Sequence, residues 1–263
     1  MSLEGSSVMT ERNLRSRLAR GETTVGTMQI IDSVMVSELI GIAGMDFVIL
    51  DQEHGPLDAE TAQMLVVGAQ NRDTAAIVRT RSNDPAEIQR ALDIGADGVQ
   101  VPQIETKAEA EAVVDAARFS PQGNRGLSQY VRAGDFRGQE RYTEQQNDRV
   151  AVIVQVEGER GINNIEDILA VEGIDVVFLG PYDLSQSLGI PGQVTHRAVE
   201  DQISDVCGVA RGSTTAVGVF ADTPDAANKW IDAGVSYVTL GVAVALFTDH
   251  LASIREQISI DGE

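Results

Sequence analysis

A (β/α)8 barrel, α/β in class and built as a single domain, is the architecture the sequence predicts, and three observations predict it. Eight strand-like runs alternate with helical patterns along 263 residues, a length that suits one large domain. The runs are near-continuously apolar, as parallel strands covered on both faces are. The segments LDIGADGV, VEGIDVV and IDAGVSYV repeat one device, a helix stopped at glycine and a short turn into the next strand. A doubly wound open sheet fits less well, because no GxGxxG follows the first run.

The elements follow in order. Residues 1–22 read as a leader and N-terminal helix, the first seven of them as leader sequence outside the fold, and 23–263 as the barrel. TTVGTMQI (23–30) opens it, followed by the helical pattern SVMVSELIGIAG, which ends on Gly44. FVILDQE (47–53) leads to DAETAQMLVVGAQN, with Asp58 as N-cap. AAIVRT (75–80) leads to DPAEIQRALDIG, with Asp84 as N-cap, Pro85 at the first helical position and Gly95 past the end. DGVQVPQ (97–103) is the fourth strand. The segment from Ser120 to Arg149 is the one long break, and as a connection after a strand it is expected on the face where strands end. AVIVQVEG (151–158), DVVFLGP (175–181), TTAVGVF (214–220) and SYVTLGV (236–242) complete the strands. TPDAANKWIDAG repeats the capping plan with Thr223, Pro224 and Gly234, and an amphipathic helix at 243–259 closes the chain.

Composition excludes several classes. The formal net charge is −20, which argues against nucleic acid and anionic membranes as partners. No apolar run reaches the roughly 20 residues of a bilayer span, and no secretory h-region opens the chain, so a cytoplasmic location is expected. Cys207 is the single cysteine, so no internal disulfide or cysteine-based zinc site can form. Of the 20 basic residues only Lys107 and Lys229 are lysines. Acidic excess with scarce lysine points to a halophilic protein, whose self-repulsion salt would screen. Stability measured from low to multimolar KCl tests this, and a maximum at low salt contradicts it.

In such a barrel the active site lies at the strand carboxyl ends. Those ends carry Asp51, Glu53 and His54, then Arg79 and Arg81, Gln103, Gln155 and Glu157, and Gly180, Pro181 and Asp183. Strands seven and eight add Asp222 and Gly241. Neither lysine falls at a strand end, so imine chemistry is not expected. Glu157 and Asp183, on adjacent strands, suit a hard divalent ion with water and ligand oxygens; a helix cap or loop ion pair is the plainer use for each. Arg79 could hold a carboxylate through its fork, and His54, one of three histidines, could move a proton or be simply structural.

The motifs DQEHGP, VRTRSNDP, LDIGADGVQVPQI, RFSPQGNRGLS, VQVEG and FLGPYDLS, in this order, resemble the HpcH/HpaI aldolase family from about Thr24 to the C-terminus. The resemblance implies a metal-dependent (class II) lyase of the 4-hydroxy-2-oxoheptanedioate or 2-dehydro-3-deoxy-acid aldolase kind. Such an enzyme splits 4-hydroxy-2-oxo acids reversibly into pyruvate and an aldehyde. It implies Glu157 and Asp183 as ligands of Mg2+ or Mn2+, with Co2+ a third candidate. Arg79 would hold the pyruvate oxygen, and His54 would be the acid/base group with Asp93 as its partner. Asp51, Glu53 and Gln155 would support the metal or its water, and the amides of Gly180 and Tyr182 would bind the pyruvate carboxylate. Arg132 would lie near the aldehyde end. A homo-oligomer is also implied, trimer or hexamer, with the last helix packed on a neighbour. Tyr182 stands where many members have a small residue, and Gln52 where glycine is common, which bears on the acceptor rather than the metal. A citrate-lyase-β-like CoA-thioester lyase and a non-catalytic 2-oxo acid binding barrel are the alternatives.

Overall fold

The computed structural model describes residues 13–138 and 140–258; the leader assigned to the first seven residues lies outside them. Eight parallel strands close a barrel in sequence order. They are β1 (Thr24–Gln29), β2 (Phe47–Asp51), β3 (Ala75–Arg79), β4 (Gly98–Val101), β5 (Ala151–Val156), β6 (Val176–Leu179), β7 (Ala216–Ala221) and β8 (Tyr237–Val242). Each falls inside or within a residue of the run that predicts it. Around them lie α1 (Leu14–Ala19), α2 (Val34–Ile42), α3 (Ala59–Gln70), α4 (Pro85–Asp93), α5 (Lys107–Ala117), α6 (Tyr142–Arg149), α7 (Glu159–Asn163) and α8 (Ile165–Leu169). Then come α9 (Pro181–Ser187), α10 (Arg197–Val209), α11 (Pro224–Ala233) and α12 (Ala243–Glu256). The expected caps are in place: Asp58 accepts from the Thr61 amide, Asp84 from Ala86, and Thr223 from Ala226. Among the described residues no helix is long and apolar enough to cross a membrane.

Strand alternation sorts the side chains into two cores. Val48, Leu50, Val78, Val99, Val152, Val154 and Val177 join the helix-facing layer. Phe47, Ile49, Ile77, Ile153, Phe178 and Tyr237 fill the barrel, and Leu14 and Leu18 of α1 pack against the same cluster. Phe47 and Tyr237 stack at 4.1 Å with an 8° interplanar angle, and Phe178 meets Tyr237 edge-on. Gly26 is where this interior tolerates no side chain, because a Cβ there would lie 2.3 Å from both the Phe47 ring and the Phe47 carbonyl oxygen. With the ring pinned by Tyr237, Gly26→Ala is expected to cost at least about 1–3 kcal/mol, the scale of overpacking, read as a fall in the urea midpoint.

The long connection departs from expectation. The helix α5, started by a capping box of Thr106 and Glu109, takes up the crossover after β4. The irregular stretch therefore joins a helix to β5 and sits at the amino ends of the strands, away from their carboxyl ends. Arg118 anchors it there: fully buried, it donates to the carbonyls of Asn147, Val150 and Gly173 and pairs with Asp175 at 2.9 Å. Burial lowers its pKa to about 10.

No residue of α12 is buried. Val244, Phe247, Leu251 and Ile254, spaced along one side of it, are exposed large hydrophobics.

Candidate active site

The inward positions of the strands turn polar at their carboxyl ends. On β2 the inward series Phe47, Ile49 ends in Asp51; on β3 Ile77 is followed by Arg79; on β5 Ile153 is followed by Gln155 and, just beyond the strand, Glu157. The register aligns Asp51 with Arg79 and Arg79 with Gln100, so charge and amide groups meet in one layer above the apolar plug.

Arg79 is the centre of that layer. Its Nε and Nη2 donate to the two carboxylate oxygens of Asp51, both at 2.8 Å. Its Nη1 lies 3.1 Å from Glu53 Oε2, an ion pair without hydrogen-bond alignment, since that oxygen has no hydrogen-bond partner. The fork expected to hold a ligand carboxylate thus holds the protein's own Asp51. The two carboxylates raise the Arg79 pKa against the opposing pull of burial. Asp51 Oδ1 also accepts the backbone N–H groups of Glu53 and His54, at 3.0 and 3.3 Å, so one buried carboxylate fixes both the guanidinium and the turn that presents His54. That turn is tight: a Cβ on Gly55 would lie 2.2 Å from the Asp51 carbonyl oxygen. His54 is exposed and lines the same cavity as Asp51 and Arg79.

A second chain of contacts runs along β4 and β5. Gln100 Nε2 donates to Gln155 Oε1 at 2.7 Å, and Gln155 Nε2 donates to Glu157 Oε2 in a very short contact. Glu157 has its pKa raised to about 7, by burial first and then by Asp183 and Glu53, against the hydrogen bond from Gln155. Burial likewise pushes the Glu53 carboxyl up, partly offset by Arg79. Asp183 is the third residue of α9, whose N-cap is Gly180, and it makes no capping bond. Neither Glu157 nor Asp183 is in an ion pair among the described residues, so the plainer structural uses of both are not taken up. A Cβ on Gly180 would lie 3.3 Å from Asp183 Oδ2 and 3.7 Å from Glu157 Oε2, so glycine leaves the space beside the two carboxylates open. Tyr182 sits in the first helical turn, its amide among those without an intrahelical partner. Its hydroxyl donates to Asp222 Oδ1 at 2.9 Å, and its ring meets Phe220 edge-on at 6.1 Å.

As a cation site, the pair has the right chemistry. Two mutually repelling carboxylates beside an open space, Glu157 half-buried and Asp183 exposed, match a hard ion that takes its other ligands from water and substrate. Among the described residues no cluster of three or more His, Cys, Asp or Glu side chains that could hold a metal ion forms.

Two expected residues are not brought to this site. Asp93 ends α4 near the amino ends of the strands, where Arg125 Nη2 donates to it at 2.7 Å and Gln89 Nε2 at 3.5 Å. Arg132 donates to Gln70 at 2.7 Å and to the carbonyls of Ile94 and Gly95. Both line a separate cavity on α4. The reason is chain direction: α4 runs back down the barrel, and the loop bearing Arg132 joins a helix to a strand. Within one chain Asp93 is not beside His54, and Arg132 is not at the mouth. Gln100, Met28 and Phe220 are site residues the strand-end reading passed over; Met28 Sδ accepts from Arg79 at 3.5 Å.

Comparison with known proteins gives the chain its relatives. The family model described as HpcH/HpaI aldolase/citrate lyase matches residues 32–249. The 5-keto-4-deoxy-D-glucarate aldolase of Shigella boydii serotype 18 is 32% identical over 233 residues, covering 89% of this chain and 91% of that protein. An HpcH/HpaI aldolase/citrate lyase family protein from Burkholderia cenocepacia J2315 superposes with a TM-score of 0.89 at 33% identity, over 93% of this chain and 98% of that one. An HpcH/HpaI aldolase from Desulfitobacterium hafniense DCB-2 gives 0.87 at 29% identity, over 95% and 98%.

Proposed function

The chain belongs to the HpcH/HpaI aldolase/citrate lyase family and is an enzyme of the aldolase class; from that premise we propose that it is a divalent-metal-dependent carbon–carbon lyase. Its reaction is the reversible cleavage of 4-hydroxy-2-oxo (2-keto-3-deoxy) acids to pyruvate and an aldehyde. One observation carries the reading: the carboxylate surplus at the strand ends, where Arg79 is in ion pairs with Asp51 and Glu53 while, among the described residues, Glu157 and Asp183 are in none.

Glu157 and Asp183 would hold Mg2+ or Mn2+, and the bound ion would supply Lewis acidity for the oxygens of the 2-oxo acid. Gln155, itself held by Gln100, keeps Glu157 oriented. Arg79, locked by Asp51, keeps a positive group where enolate charge develops without having to move. The amides at Gly180 and Tyr182 take the substrate carboxylate. His54 accepts the C4 hydroxyl proton as the C3–C4 bond breaks, and the bonding pair passes to the pyruvate fragment. Asp93 has no part in this within a single chain. The apolar side of α12 supports a homo-oligomer, with the enzyme acting on small molecules in the cytoplasm.

The test is pyruvate release from a panel of 4-hydroxy-2-oxo acids with and without EDTA. Release abolished by EDTA and restored by Mg2+ or Mn2+ is expected; EDTA-insensitive release overturns the metal assignment, and no release from any substrate overturns the lyase. His54→Ala is expected to lower kcat by about 10²–10⁴-fold with an unchanged urea midpoint, since the imidazole is exposed. An unchanged rate removes the proton-transfer role.

A further inference from the structure

Gln100 is an unfavourable residue for the place it occupies. It faces inward on β4, in one row with Arg79 on β3 and Ile153 on β5, and its side chain is fully buried. Only half of its carboxamide is used. Nε2 donates to Gln155 Oε1 at 2.7 Å, while Oε1 has no hydrogen-bond partner. A buried acceptor left without a donor is destabilising, and an apolar side chain of the same length would fill the position without that penalty. What the amide gains lies on the neighbouring strand. Gln155, one inward position further along β5 than Ile153, is almost as deeply buried. The two ends of its carboxamide are chemically opposite. An ionised Glu157 only accepts, so the NH2 group of Gln155 faces it and donates to Oε2. The Gln155 oxygen then points back to β4 and needs a donor there, and Gln100 Nε2 is that donor. The three side chains form a ladder with one direction, from Gln100 through Gln155 to a single oxygen of Glu157. Among the described residues Glu157 Oε1 takes no hydrogen bond.

Resting on the metal-dependent lyase reading above, we propose that Gln100 is a positioning residue that sets the affinity for the divalent cation from two side chains away, acting only through Gln155. With its oxygen held by Gln100, the Gln155 amide has one stable orientation, and its NH2 group stays on Glu157 Oε2. The carboxylate then keeps Oε1 free in a fixed orientation, ready for the ion before the ion arrives. Without the donor on β4 the Gln155 oxygen is buried and unpartnered, and the amide can relieve that only by turning away from Glu157. The carboxylate then has to be ordered by the cation itself, which weakens binding. Groups that orient a metal ligand are commonly worth 10–100-fold in affinity. A residue that merely filled the inner row would influence folding and leave the affinity alone.

Calorimetric titration of the EDTA-stripped protein with Mn2+ at pH 8 tests this without turnover. Gln100→Met is expected to weaken Mn2+ binding about tenfold. Its metal-free urea midpoint is expected to stay near wild type, since one unpartnered oxygen, on Gln100, is exchanged for another, on Gln155. Gln100→Asn keeps the carboxamide but is one methylene shorter; it is expected to show the same loss, and it carries the test if Gln100→Met does not fold. Gln155→Met is expected to weaken binding as well. Adding Gln100→Met to it is expected to change the affinity no further, because the ladder is already broken at its middle rung. Wild-type Mn2+ affinity in a folded Gln100 variant overturns the proposal and leaves the lyase standing. An equal loss when Gln100→Met is added to wild type and to Gln155→Met overturns it too, because the effect then does not pass through Gln155. Absence of Mn2+ binding by the wild type overturns the metal assignment, and the role of Gln100 with it.

Discussion

Glu157→Gln is expected to abolish metal-dependent pyruvate release, by about 10²–10³-fold or more, the scale on which a charged stabiliser is missed. The same substitution is expected to stabilise the metal-free protein above neutral pH. The sign follows from the carboxyl. Its ordinary value is 4.5 and burial beside Asp183 and Glu53 raises it to about 7. Between those values the folded state binds more protons than the unfolded state, so stability falls as pH rises. Below about 4.5 both states are protonated and nothing is lost; above about 7 the full penalty stands, on the order of 3 kcal/mol. Urea unfolding of the EDTA-treated protein at pH 5 and pH 8 reads this slope, and the difference between wild type and Glu157→Gln isolates one group. Adding Mg2+ or Mn2+ is expected to flatten the wild-type slope, because a cation favours the ionised pair, and to do nothing for the variant. Identical slopes in the two proteins contradict the charge surplus on which the metal site rests.

How far the sequence shows this site depends on which physical signal each residue leaves. Strand order and caps are local, and they are legible: Asp58, Asp84 and Thr223 each cap the helix predicted for them. Asp51, Arg79, Gln155 and Glu157 are legible because strand carboxyl ends converge in any barrel. Gln100 was legible too, by alternation, since it faces inward on β4 as Arg79 does on β3, but a strand-end reading steps past it to Gln103. Gln103 instead takes a left-handed backbone, φ 59°, as the chain turns out of the barrel. Asp93 and Arg132 went astray for a different reason. Their expected places came from resemblance, which carries residue identity but not chain direction. Asp93 ends α4, which runs back down the barrel, and the helix between β4 and the long loop puts Arg132 at that same end; both follow from counting crossovers. Asp222 is legible only as the residue past strand seven; its bond to Tyr182, 40 residues away, exists only in the fold.

Arg79→Met is expected to cost about 3–5 kcal/mol, the penalty for breaking a buried ion pair by removing one partner, and to lower kcat by about 10²–10³-fold. Two carboxylates would be left without their cation, since Asp51 is 1% and Arg79 7% exposed. Urea midpoints measure the first effect and pyruvate release the second. Arg79→Lys separates charge from shape: it keeps a cation near Asp51 and Glu53 but cannot bind both Asp51 oxygens, so it is expected to recover much of the stability and little of the rate. The double variant Arg79→Met with Asp51→Leu makes the distinction sharper. Removing both members leaves Glu53 to protonate, as burial already inclines it to do, and apolar replacement of a buried pair is often close to neutral. Stability is expected to return toward wild type while activity stays lost, because the backbone N–H groups of Glu53 and His54 lose the acceptor that holds their turn. A double variant as unstable as Arg79→Met alone would mean that packing around the guanidinium, and not its charge, holds the top of the barrel together.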